Sequence, residues 1–188
     1  MTDLAEVKDT ARKEGFARRK KAHASDFGVA AGVLSGFLAG HRGVPLSGYM
    51  PIRTEIDPVP AMSEAAAHGP VGIPVIMGAG LPLKFARWEP DLPLVNGPFG
   101  ARIPAQPEFF EPEIVIVPLV AFDANGGRLG YGGGFYDRTL ERLRAARPTL
   151  AVGFAYSEQE AASLPIETTD QKLDFVVTES NVVDFRSA

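Results

Sequence analysis

A chain of 188 residues, 45% hydrophobic and 22% charged, is long enough to bury a core without staples and has a globular composition. Its formal net charge of −4 argues against nucleic-acid binding by bulk charge. The absence of cysteine excludes disulfides, thiolate metal sites and cysteine nucleophiles, and suits a cytoplasmic protein.

A single domain over residues 1–188 is the expectation for this length. The opening stretch, MTDLAEVKDTARKEGF, is charged and lacks the apolar centre of a secretion signal. Residues 3–23 predict a helix carrying many charges. Ser25 and Asp26 can cap a second helix over 27–39. Its apolar run, Gly28 to Gly40, has 13 residues, short of the about 20 that span a bilayer, so no membrane association is expected. GVPLSGYMPI reads as a first strand, PAMSEAAAHG as a short helix stopped by Gly69, VGIPVIMGAG as a second strand, and LPLKFARW as a third strand at an edge. Prolines and glycines from Glu89 to Pro112 predict a long ordered loop that keeps Phe99, Phe109 and Phe110 to pack.

EIVIVPLVAF shows no alternation, as in a strand buried on both faces. A helix follows over 135–146, with Leu140 and Leu143 on one face. TLAVGFAY reads as the next buried strand, Ser157 and Glu160 as a capping box, and KLDFVVTE as the last strand. Alternating strands and helices imply an α/β fold. The expected form is three-layer α/β/α with a mainly parallel sheet, a Rossmann-like single domain. Sites in such folds lie at the carboxyl ends of strands.

One such end carries RLGYGGGFYDR, Arg128 to Arg138, with four glycines in eleven residues. Strand, glycine loop, helix is an arrangement that binds phosphate. Glycines let backbone N–H groups turn toward an anion, and the helix start adds partial positive charge. Arg128 can add a planar fork, and Asp137 can hold a Mg²⁺ shared with phosphates. The same features also suit a plain turn, with Asp137 favoured by the helix dipole and Arg128 solvated. No Gly-Lys-Ser/Thr ends the loop, so it is not a Walker loop, and it fails as a dinucleotide fingerprint at its third glycine.

VPLVAFDANGGRLGYGGGFYDRTL, Val117 to Leu140, resembles the signature of the 5-formyltetrahydrofolate cyclo-ligase (5,10-methenyltetrahydrofolate synthetase) family. That signature is an apolar strand, a Phe-Asp pair, then Arg-Leu-Gly-x-Gly-x-Gly-aromatic-Tyr-Asp. Phe122, Asp123, Arg128, Leu129, Gly130, Gly132, Gly134, Phe135, Tyr136 and Asp137 fill it. The resemblance extends more thinly to both chain ends. It implies that Lys8 and Arg12, one helical turn apart, reach ATP phosphates, with the basic run Arg18, Arg19, Lys20, Lys21 behind them. By spacing alone these charges are equally a solvated helix face. It implies Glu55 in the folate pocket, Met50 as a second substrate contact, and Asp170 as a metal-linked carboxylate beside Asp137. Two positions depart from the family pattern: Ala11 stands where Leu is usual and Thr169 where His is common.

The activity so implied is ATP- and Mg²⁺-dependent closure of 5-formyltetrahydrofolate to 5,10-methenyltetrahydrofolate. Arg128 and Asp137 carry the chemistry in that reading. Leu129, Gly130, Gly132, Gly133, Gly134 and Tyr136 join Lys8, Arg12 and Arg128 around ATP. Tyr131 through Phe135 face the folate, with or without a polyglutamate tail, and Trp88, Phe99 and Tyr136 are candidate walls for the flat pterin. The expected state is a monomer or weak dimer that binds no nucleic acid. Two other readings remain: a non-catalytic nucleotide- or folate-binding relative, and a phosphate-binding enzyme such as a sugar-phosphate isomerase on a similar fold.

Overall fold

The computed structural model of the chain describes residues 3–186. Helix α1 (Leu4–Ala24) starts where the Asp3 carboxylate accepts the Ala5 N–H at 3.2 Å. Its buried residues are Lys8, Gly15 and Arg19. Those positions repeat at a helical period, so α1 docks through a polar stripe that no hydrophobic pattern announces. Ser25 closes α1, donating its N–H to Ala22 O, instead of starting the next helix. Helix α2 (Val29–Ala39) is entered through Gly28 at φ 76°, and Asp26 serves that turn by accepting the Gly28 N–H at 2.8 Å.

The chain continues through β1 (Leu46–Ser47), α3 (Val59–Ala66), β2 (Val71–Val75) and β3 (Lys84–Arg87). It then forms β4 (Leu94–Asn96), β5 (Arg102–Pro104), β6 (Phe109–Phe110), β7 (Ile114–Pro118), β8 (Ala121–Asp123) and β9 (Arg128–Leu129). Helix α4 (Phe135–Ala146), β10 (Leu150–Phe154), β11 (Glu160–Ala161), β12 (Phe175–Val177) and β13 (Val182–Asp184) complete it. The main sheet has the order β13-β12-β10-β7-β1-β2-β3-β6. The middle of it, β12 to β2, is parallel, and antiparallel strands extend both sides.

Strands β7 and β10 alternate between two layers. Ile114, Ile116, Val152 and Phe154 meet α2 and α3 through Leu34, Leu38 and Met62. Val115, Val117 and Ala151 meet Leu140 and Leu143 of α4 on the opposite face. Burial on both faces is why these runs lack a polar alternation. The three-layer reading holds, and the parallel order places a switch point between β1 and β7. There the chain, having wound outward through β2 and β3 to β6, crosses back to build the other half.

Several local expectations change. EIVIVPLVAF is two strands, not one. Pro118 has no N–H to continue a ladder, and the chain leaves β7 there for β8, which pairs with β9 and β11 in a small separate sheet. The third strand, β3, is not an edge, because β6 covers it. The stretch 89–112, expected as one long ordered loop, also carries strands: β4 and β5 form a hairpin within it and β6 pairs with β3. The capping box expected of Ser157 and Glu160 does not form: after β10 a single 3-10 turn is closed by the Gln159 N–H donating to Tyr156 O, while Gln159 Oε1 accepts the Tyr156 N–H at 2.9 Å. Among the described residues, no helix is long and apolar enough to cross a membrane.

Candidate active site

Over the carboxyl ends of β1, β2 and β7, at the switch point, lies an open cavity of about 870 Å³. That is within the usual range for ligand sites, about 300–1,000 Å³. Lys8 and Arg12 reach it from α1, Met50 and Glu55 from the loop after β1, and Arg128 and Leu129 from β9. Gly130, Tyr131, Gly132, Gly133 and Gly134 line it from the glycine loop, Phe135, Tyr136 and Asp137 from the first turn of α4, and Asp170 from the loop before β12. The fold thus brings the residues expected to bind ATP, folate or metal to one wall or another of the same space, whereas the basic run Arg18, Arg19, Lys20, Lys21 and the proposed pterin wall Trp88 do not line it. Pattern reading passed over Arg53, Arg102, Arg138 and Glu167, which also line it, as does Thr169, the position that departs from the family pattern.

The glycine loop has a specific geometric need at Gly132. Its φ is 96°, and a Cβ there would sit 3.3 Å from Arg12 Cζ. Arg12 lies across the loop, donating Nε–H to Gly130 O at 3.1 Å and Nη1–H to Asp9 at 2.6 Å. Arg138 crosses from the other side, donating to Gly133 O at 2.7 Å, with its guanidinium 5.4 Å from the Phe135 ring centroid. Gly134 starts α4 at φ 65° and no side chain caps the helix there. The partial positive charge of the helix start therefore faces the cavity.

Two carboxylates from distant parts of the chain meet at one end. Asp137 Oδ1 accepts Arg128 Nη2–H at 2.8 Å and the Gln171 N–H at 2.8 Å. Gln171 follows Asp170 in the chain, so the same contact seats Asp170 beside Asp137. Asp170 Oδ2 accepts Lys8 Nζ–H at 2.7 Å and the Glu167 N–H at 2.8 Å. Lys8 also donates to Glu167 at 2.5 Å. Burial works against the Lys8 charge, but bonds to Asp170 and Glu167 outweigh it and hold its pKa above the ordinary lysine value. Arg144 of α4 anchors this loop through Gln171, Lys172 O and Asp174. Asp174 Oδ2, which accepts from Arg144, also accepts the Ala151 N–H at 2.7 Å, a structural part.

The donor set can be tested for a divalent cation. Among the described residues no cluster of three or more Asp, Glu, His or Cys side chains is poised to hold a metal. Mg²⁺ does not require one, since it is commonly held by one or two carboxylates together with substrate phosphates. The bonds recorded for Asp137 and Asp170 each fall on one oxygen, Oδ1 and Oδ2 respectively. Each side chain leaves its other oxygen for a cation, so the residues fit.

The opposite end is built around Glu55, which is only 6% exposed. Its Oε2 accepts the Ile52 N–H at 2.9 Å and its Oε1 accepts the Tyr131 O–H at 3.0 Å. Burial raises its pKa, while those two bonds and the charges of Arg19 and Arg53 pull it back. Burial first, then the Glu55 charge, pushes the hydroxyls of Tyr131 and Tyr136 above the ordinary tyrosine value. Tyr136 lines the cavity, whereas Trp88 is buried in the core beneath α2 and α3. The Phe99 side chain lies outside the described residues. Buried Arg128 keeps a second donor, Nε, with no partner. The cavity therefore joins a cationic, carboxylate-bearing end to an end with one buried acceptor among aromatic and apolar groups.

A profile of the 5-formyltetrahydrofolate cyclo-ligase family matches residues 11–179, which includes every site residue above except Lys8. A 5-formyltetrahydrofolate cyclo-ligase of Mycolicibacterium smegmatis is 31% identical over 160 residues, covering 79% of this chain and 81% of that protein. One from Haemophilus influenzae is 42% identical over 96 residues, 48% of this chain, so the chain spans 51% of that relative's length. The NMR structure of Aquifex aeolicus 5,10-methenyltetrahydrofolate synthetase superposes with a TM-score of 0.80 at 29% identity, covering 97% of this chain and 94% of that one. By the extent of the profile match, this chain belongs to the 5-formyltetrahydrofolate cyclo-ligase family.

Proposed function

We propose that the chain closes 5-formyltetrahydrofolate to 5,10-methenyltetrahydrofolate at the expense of ATP. The observation that carries this reading is the two-ended cavity. Its cationic end, with Lys8, Arg12, Arg128 and the start of α4, suits a triphosphate. Its other end, with buried Glu55 beside Met50, Tyr131 and Phe135, suits a flat heterocycle bearing N–H donors.

The chemistry asks for positioning more than for a covalent nucleophile. The formyl oxygen of the substrate attacks the γ-phosphorus of ATP, and ADP leaves. The lone pair of N10 then attacks the activated formyl carbon, N10 loses its proton, and phosphate departs with the former formyl oxygen. The protein must bring two substrates in line and stabilise charge on the transferring phosphoryl group. Arg128 is held by Asp137 and can turn its unpartnered Nε–H to a phosphate oxygen. Lys8 and Arg12 neutralise the phosphate chain from α1, Gly130, Gly132, Gly133 and Gly134 let ATP and folate approach the backbone closely, and Leu129 and Tyr136 flank the nucleotide. Asp137 and Asp170 would hold Mg²⁺, which supplies further charge neutralisation on the phosphates.

The test is incubation of the purified protein with 5-formyltetrahydrofolate, Mg²⁺ and ATP, followed by methenyl absorbance in the near-ultraviolet. An ATP-dependent rise is expected. Folded protein giving no rise would overturn the enzyme reading and leave a binding relative or a different phosphate enzyme.

A further inference from the structure

We propose that Arg19, outside the cavity, is a positioning residue that fixes the acceptor geometry of the folate-facing end through a relay from Arg19 to Tyr131 to Glu55. The proposal deepens the folate reading above and rests on it for its kinetic arm.

Arg19 is 1% exposed, the largest fully buried side chain described. A buried guanidinium is costly unless paired. Its three hydrogen bonds go to neutral oxygens: Thr54 Oγ1 at 3.1 Å, Leu119 O at 3.3 Å and Tyr131 Oη at 2.8 Å. The rings of Phe16 and Tyr131 stand 5.2 and 5.4 Å from its Cζ. The anion it reaches lies one step further on. Tyr131 has a single hydroxyl proton. Because its oxygen accepts from Arg19, that proton must go to its other partner, Glu55 Oε1 at 3.0 Å. Glu55 Oε2 is fixed separately by the Ile52 N–H. The relay thus sets both oxygens of a buried carboxylate and lends it a compensating charge. Arg19 also ties together α1, the loop after β1, the turn after β7 and the glycine loop, so one side chain registers four segments around the cavity.

The relay makes Glu55 a fixed acceptor aimed at a ligand with adjacent N–H donors. Glu55 is also faced by Arg53 and Tyr49 from its own loop region and by Tyr136 from α4, and these remain in any relay variant.

Wild type, Arg19→Met and Tyr131→Phe decide it, with Arg19→Lys as a control that keeps the charge. The second variant cuts the relay at an exposed residue and leaves Arg19 in place, so it answers even if Arg19→Met does not fold. The substrate-free readout is the pH titration of the Glu55 carboxyl by carbon-13 NMR. Both variants should move its midpoint to higher pH, because each removes stabilisation of the ionised form. In steady state both should raise KM for 5-formyltetrahydrofolate about tenfold or more, with KM for ATP within about twofold of wild type. Arg19→Lys, which keeps the charge, should recover part of the midpoint shift. An unmoved Glu55 midpoint in a folded variant, or equal rises in both KM values, would overturn the relay. Absence of cyclo-ligase activity in the wild type would instead sink the proposed reaction, and the titration would still decide the role of Arg19.

Discussion

At Asp137 one oxygen does two jobs and the other is left over. Oδ1 receives Arg128 and the Gln171 N–H, so removing the side chain would strand a guanidinium that is 5% exposed. Leaving a buried charge unpaired costs about 3–5 kcal/mol, which would confuse a loss of function with a loss of fold. Asp137→Asn avoids this, because its amide oxygen can still accept both bonds. What it lacks is the negative charge for a phosphate-bound cation. Turnover should then fall at least about a hundredfold, while the thermal unfolding midpoint changes little. Near-normal turnover at saturating Mg²⁺ would remove Asp137 from the chemistry. The residue type and spacing made Asp137 legible in the sequence. Its bond to Gln171, which seats Asp170 beside it, was not, because nothing local links positions so far apart.

Element α1 shows where pattern reading is weakest. Its charges suggested a solvated face, and three of its residues on one face are buried all the same. Hydrophobic periodicity detects a face that buries carbon; it is blind to one that buries Lys8, a glycine and Arg19. Gly15 marks the closest approach: a Cβ there would meet Val120 Cγ1 at 2.8 Å and Val120 O at 2.9 Å. In an exposed helix, Gly→Ala gains about 1 kcal/mol from helix propensity. Here overpacking against β8 and its approach, at about 1–3 kcal/mol, outweighs that gain. Gly15→Ala should therefore lower the denaturant midpoint. It should also raise KM for ATP, since Lys8 and Arg12 ride on the same helix. A stability gain would mean that α1 does not sit on Val120 this tightly. The long buried strands β7 and β10 were legible because burial on both faces leaves an unbroken apolar run. The two- and three-residue strands β4, β5, β6, β11 and β13 were not, since a period of two needs more residues to show itself.

The whole molecule places its site where chain segments converge. Side chains from the segments 8–12, 49–55, 128–138 and 167–170 border one cavity, and only the doubly wound order of the sheet makes these segments neighbours. Lys8 closes the ring by joining the first helix to the loop before β12 at Glu167 and Asp170. A ligand spanning this ring binds the folded state alone, so it must stabilise the fold by mass action. At a hundred times its dissociation constant the gain is about 2.7 kcal/mol. For a chain of this size that raises the unfolding midpoint by roughly 5–10 °C. ATP with Mg²⁺ should produce such a shift in wild type, and Lys8→Ala with Arg12→Ala should abolish most of it. Inorganic phosphate at the same concentration should give far less, because it contacts one anion site instead of spanning the cationic end. An equal shift with phosphate would favour the isomerase-like reading, in which the glycine loop holds one phosphate and ATP has no part. No shift with either would remove nucleotide binding from this face of the sheet.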